Sequence, residues 1–315
     1  MKKFGIMAFL VMAILFAVNN PLVNTYLISL KETALPAGKQ TDPLYQTIVK
    51  SASTYEIKAS DAKIDPVWKA IPGYNGLTVD LDASYKKMKK TGIFDESKLV
   101  FKQTAPNVHL NDLPSSPIYK GHPDKPMVTF IINVAWGNEY LSDILATLKK
   151  NQVYASFFLE GNWVKKNPEL AKMIVSAGHE VGNHSYSHPD MSRLTAGQAR
   201  EQIVKTNEVI EAATGKKSIW FGPPSGSYRE ETVKIAAELD MKTVLWTVDT
   251  VDWRKPTPDT LINRVISKID NGSMVLMHPT ESTVKSLDRL IALIKEKNLK
   301  IGILTDLMSE DRIIK

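Results

Sequence analysis

From residue 127 onward the chain alternates apolar runs with amphipathic ones, and this alternation constrains its fold more than any other feature. Runs at 127–134, 153–159, 180–183, 218–221, 242–248, 273–277 and 300–303 predict strands, and the stretches 140–150, 168–177, 196–213, 230–239, 260–269 and 284–296 between them have helical spacing. The predicted strands are largely apolar on both faces, as burial between two layers requires. Strand followed by helix, repeated, predicts parallel α/β architecture, and seven units favour a barrel or an incomplete barrel over an open sheet. In such a fold the chemistry belongs at the carboxyl ends of the strands, where the following loops converge.

The rest of the chain divides by composition. Lys2 and Lys3 precede an apolar run from Phe4 to Val18, the order of an export signal. Residues 1–30 therefore read as a signal peptide or an N-terminal membrane anchor, although the run is short for a span of roughly twenty residues. The protein is accordingly expected outside the cell, on the wall side or tethered to the membrane. Residues 31–56 read as a polar linker and 57–113 as a small α/β accessory module with turn signals at Pro72-Gly73 and Asn75-Gly76. A Pro-rich linker at 114–126 leads into the main domain, 127–307, and a tail at 308–315. The accessory module either binds wall polymer or acts as a spacer.

Forty basic against thirty-four acidic side chains give a net charge of +6, which suits an acidic wall polymer or a membrane surface. The absence of a basic block interleaved with aromatics argues against nucleic acid as a partner. Cysteine is absent, which excludes disulfides, thiolate catalysis, Cys-ligated zinc and iron-sulfur centres.

Residues with chemical potential lie at or just beyond the ends of the predicted strands: Asn133, His184, Gly222 to Gly226, Asp249 with Asp252, and His278. His184 and His188, four residues apart, can present two imidazoles to one metal ion; capping or packing is the alternative for such a pair. A third ligand, normally a carboxylate, has no clear source; Glu139 either reaches inward or is a solvent residue at a helix start. Asp249 and Asp252 either orient a histidine or cap a helix, and Trp253 beside them offers a wall on which a sugar can stack. His278 is placed to protonate a leaving group, or else donates to a loop carbonyl.

Residues 126–307 resemble the NodB-homology family of polysaccharide deacetylases, most clearly at His184-Ser185-Tyr186-Ser187-His188, Asp249 to Trp253 and Leu276-Met277-His278-Pro279. The particular variety resembles exported proteins of sporulating Gram-positive bacteria. The resemblance implies a distorted (β/α)7-type barrel, a zinc or cobalt ion held by His184 and His188, and His278 as general acid. It also implies a role for Trp136, Tyr186, Pro224 and Trp253 in contacting a wall polysaccharide. Two motifs depart from the family pattern. Where the family has Thr-Phe-Asp-Asp-Gly, Asn133 stands at the base position and Val134 at that of the metal-binding aspartate; a register on Thr129-Phe130 would put Ile131 and Ile132 there instead. Where it has Arg-Pro-Pro-Tyr-Gly, this chain has Gly222-Pro223-Pro224-Ser225-Gly226. Losing the base and its partner arginine together is chemically consistent, since a buried arginine is costly without its carboxylate.

The expectation is a metal-dependent hydrolase that weakly removes acetyl groups from N-acetylglucosamine or N-acetylmuramic acid of peptidoglycan. The alternative is an inactive deacetylase homologue that binds wall glycan. A purely structural envelope protein is the third reading.

Overall fold

Strand β1 (Met127–Val134) is buried along its whole length and organises the sheet of the protein, whose computed structural model describes residue 39 and residues 41–313. The expected leader, residues 1–30, lies outside the described residues. Two compact units divide the chain: one contains residues up to Ile57 together with Leu77–Lys102, the other Lys58–Gly76 together with Gln103 onward.

In the first unit, part of the stretch expected to be a polar linker is a helix, Pro43–Ala52. Asp42 caps it by accepting from the Leu44 N–H, and Pro43 occupies the first turn, where its missing N–H costs nothing. Leu44, Tyr45 and Ile48 recur at helical spacing and pack on Tyr85, Met88 and Leu99, a small core the polar composition concealed.

In the second unit β1 is followed by α1 (Asn138–Lys150), β2 (Ser156–Leu159), α2 (Gly161–Lys166), α3 (Pro168–Ser176), β3 (Glu180–Asn183) and α4 (Ala196–Thr214). Then come β4 (Trp220–Phe221), α5 (Glu230–Glu238), β5 (Lys242–Thr243), β6 (Val248–Asp249), α6 (Pro258–Ile266), β7 (Met274–Met277), α7 (Glu281–Glu296) and β8 (Lys300–Gly302). The strands are parallel in the order β6-β7-β1-β2-β3-β4-β5, with β8 paired to the beginning of β1. This is a curled half-barrel flanked by helices, a distorted form of the expected (β/α)7-type barrel. The predicted strand at 242–248 is interrupted, and residues 244–247 bend between β5 and β6.

Side chains of β1 alternate between two layers. Val128, Phe130, Ile132 and Val134 join the core between sheet and helices, whereas Met127 and Ile131 join the core inside the curl. The parallel register brings the carboxyl ends level: Val134 pairs with Leu159, Leu159 with Asn183, and Asn183 with Phe221. On the other flank Asp249 pairs with Leu276 and Leu276 with Ile131. The loops after these strands therefore open onto one cleft.

Candidate functional site

The alternation of β1 decides what its last two residues can do. Asn133 falls on the inner face and lines the cleft, while Val134 is fully buried in the helix-side core. Asn133 is only 7% exposed, and its Oδ1 has no hydrogen-bond partner. An unmet acceptor in a buried position is costly, so a donor from a ligand would be favoured there.

His184 and His188 lie on a loop after β3. Gln202 of α4 accepts from the Tyr186 and Ser187 N–H groups at 2.9 Å each, and the Ser185 hydroxyl accepts from the His188 N–H at 3.2 Å. Ser185 and His188 take left-handed backbone angles, φ 62° and 55°, which side-chain-bearing residues seldom adopt. The loop brings the two imidazoles together, ring centroids 5.1 Å apart and planes 68° across. His184 Nδ1 lies 2.7 Å from the Gly222 carbonyl oxygen, which can only accept, so Nδ1 carries the proton and Nε2 keeps its lone pair. Burial pushes the His184 pKa down to about 3, keeping the ring neutral.

After β4, Gly222 lies against Phe158, and Ser225 enters the cleft with φ 56°. Beyond β6, Asp249 lines the cleft and uses one oxygen to accept from the Val251 N–H at 2.7 Å. Asp252 is fully buried behind His278. It accepts from His278 Nδ1 at 2.8 Å, from the His278 N–H at 2.5 Å and from the Thr283 hydroxyl at 2.7 Å. This pairing fixes the ring and leaves its Nε2 free. Trp136 stacks on His278 with centroids 5.9 Å apart and planes 7° from parallel, and Trp253 stands 51% exposed at the rim.

The cleft encloses about 390 Å³ and gathers Asn133, Trp136, His184, His188, Asp249, Trp253 and His278 from the residues singled out in the sequence. Tyr186 and Pro224 do not line it; Pro224 is buried, and the Tyr186 ring meets Gly161 and the Lys205 ammonium. Trp246 does line it and was not anticipated. Its signal was its spacing from Val244, whose side chain faces the inner core that Trp246 also touches.

The residues present do not fit a catalytic zinc or cobalt ion. Such an ion takes three protein ligands and keeps one position open. Among the described residues there is no group of three His, Cys, Asp or Glu side chains able to hold a metal. The two histidines remain, and Val134, which the resemblance aligns with the metal-binding aspartate, faces the core. The expectation of a metal-dependent deacetylase with turnover is corrected accordingly: no third ligand joins the histidines among the described residues, and Asn133 stands where the resemblance would put the base.

The family model for polysaccharide deacetylases matches residues 120–244. An uncharacterized protein of Bacillus subtilis, YlxY, is 54% identical over 99% of this chain and 98% of its own length. The crystal structure of wild-type BA3943 from Bacillus anthracis, described as a CE4 family pseudoenzyme, is 56% identical with a TM-score of 0.82, covering 87% of this chain and 97% of that one. A mutant of BA3943 described as having restored enzymatic activity superposes equally well, at 55% identity and a TM-score of 0.82 over 86% of this chain and 99% of that one. The peptidoglycan-N-acetylmuramic acid deacetylase PdaA of Bacillus subtilis is 30% identical over 61% of this chain and 75% of its own length. The chain belongs to the NodB-type polysaccharide deacetylase family, carbohydrate esterase family 4.

Proposed function

We propose that the protein binds wall glycan in the retained cleft without deacetylating it. One observation carries this reading: Asn133 stands at the end of β1 with its Oδ1 unmet, in a cleft walled by Trp136, Trp246 and Trp253. An amide cannot take the proton of an attacking water at neutral pH, but it can hydrogen-bond a sugar or its acetamido group. Tryptophan faces supply stacking surfaces that need no base.

The likeness to BA3943 supports the inactive reading over the expected weak hydrolase, because that protein is described as a pseudoenzyme and matches this chain over most of its length. Deacetylases in the family that act on peptidoglycan support a wall polysaccharide as the ligand. Export to the wall side, by cleaved signal or anchor, belongs to this proposal and rests on residues 1–30. Among the described residues no helix is long and apolar enough to cross a membrane.

The test pairs two measurements on the full chain. Acetate release from N-acetylated peptidoglycan fragments, with zinc or cobalt added, is expected to stay at the level of a His184→Ala variant. Binding of N-acetylglucosamine oligomers is expected in the wild type and to weaken about tenfold in Trp253→Ala, as loss of a stacking face implies. Release well above the His184→Ala level, or oligomer binding that is absent or indifferent to Trp253, would overturn the reading.

A further inference from the structure

Among the described residues the cleft is lined by one acid, Asp249, and by no lysine or arginine. Val248 before it joins the core between sheet and helices, so the Asp249 carboxylate falls on the inner face of β6. One of its oxygens accepts from the Val251 N–H, and the other has no hydrogen bond or ion pair among the described residues. The two arginines that follow in the chain are engaged elsewhere: the Arg254 guanidinium lies over the Trp253 ring, 4.7 Å from its centroid, and Arg264 donates to the Thr250 carbonyl at 2.7 Å. Asp252, the other acid of this loop, is closed off behind His278 and accepts from three donors.

Two further acceptors line the same cleft. Asn133 Oδ1 is buried and unmet, and His184 Nε2 keeps its lone pair because Nδ1 donates to the Gly222 carbonyl. A neutral sugar can donate to such acceptors through its hydroxyls, yet it leaves the charge of the carboxylate unanswered. An acetamido group adds one N–H and no charge. An ammonium adds three N–H donors and a positive charge, and its hydrogen bonds to a carboxylate are about twice as strong as those between neutral groups. The indole faces that wall the cleft attract a cation as well. We propose that the cleft recognises an amino sugar whose nitrogen is free, in preference to the N-acetylated sugar, with Asp249 and Asn133 accepting from its ammonium. Such a sugar is what removal of an acetyl group from the glycan leaves, so this chain would bind downstream of a de-N-acetylating reaction rather than carry one out. The inference rests on the glycan-binding reading and narrows its ligand.

Calorimetry on the full chain at neutral pH, with a chelator present so that no metal bridges protein and sugar, compares two probes: the tetramer of N-acetylglucosamine and the fully deacetylated tetramer of glucosamine. Both are expected to bind, the glucosamine tetramer about tenfold more tightly. The preference is expected to vanish in Asp249→Asn, which has the same shape and keeps an acceptor for the Val251 N–H. It is expected to persist in Glu139→Gln, which removes an acid of α1 that does not line the cleft. Equal affinities, tighter binding of the acetylated tetramer, a preference that survives in Asp249→Asn, or one lost as fully in Glu139→Gln overturns amine recognition and leaves glycan binding standing. Failure of both tetramers to bind overturns both.

Discussion

A Cβ placed on Gly222 would stand 2.8 Å from Cδ1 of Phe158, closer than real contacts allow. Phe158 is fully buried in the inner core, and a Cβ on Gly182 would also meet its ring, at 2.7 Å, so the ring has no easy retreat. The arginine that the resemblance aligns with Gly222 cannot enter the present packing. Gly222→Arg should therefore destabilise the fold by about 1–3 kcal/mol, the usual range for overpacking. Adding Phe158→Leu should recover part of that loss. Urea unfolding of the two single variants and the double variant measures the coupling; additive effects would mean that Phe158 is not the obstacle.

Val134 and Asn133 make a second pair of consequences. Val134→Asp alone would place a carboxylate in the helix-side core, at a cost of about 3–5 kcal/mol if it stays charged and unpaired. Asn133→Asp with Val134→Asp should bind zinc more tightly than the wild type, provided the strand end turns the second acid toward His184 and His188. Zinc should then raise the melting temperature of the double variant and leave the wild type nearly unmoved. A double variant that folds yet gains neither affinity nor zinc-dependent stability would show that Val134 does not occupy the metal-ligand position.

Much of this site was legible in the sequence because parallel strands end level. Once the runs at 127–134, 180–183 and 273–277 are read as strands, Asn133, His184 and His278 must approach one rim, and all three line the cleft. What periodicity could not supply was the facing of a single residue. Val134 follows Asn133 by one position and lies on the opposite layer. Trp246 was hidden in a stretch read as one strand that is two short ones. Glu160 was not singled out in the sequence; it caps α2, and its place in the wall of a hollow depends on Trp136 and His188 from other loops. The helix at Pro43–Ala52 was masked by polar residues around three buried ones, Leu44, Tyr45 and Ile48.

The Asp252 carboxylate accepts three hydrogen bonds, two of them from His278. Asp252→Asn keeps one oxygen acceptor and turns the other position into a donor, facing N–H or O–H groups that also donate. The expected loss is about 1–3 kcal/mol of stability, with the His278 ring released from its fixed tautomer. Nitrogen NMR of the imidazole should show Nδ1 protonated in the wild type and a mixture in the variant. An unchanged tautomer would mean that some other contact holds the ring.

Acid stability offers a test away from the cleft. His179 is 6% exposed, lies 5.1 Å from the Phe157 ring and accepts from the Ala155 N–H at 3.2 Å through Nδ1. Burial pushes its pKa down to about 4, below the 6.5 of a free histidine. The unfolded chain thus takes up a proton at this residue before the folded one does. The stability tied to the neutral ring is complete above pH 6.5, and it drains away as pH falls toward 4. The difference corresponds to on the order of 3 kcal/mol across that window. His179→Gln, which does not titrate and can still accept from Ala155, should lose correspondingly less stability than the wild type between pH 6.5 and 4. Denaturant titrations of both proteins at several pH values give the comparison. Parallel losses would show that His179 carries its proton equally well folded and unfolded, and that its burial does not govern acid sensitivity.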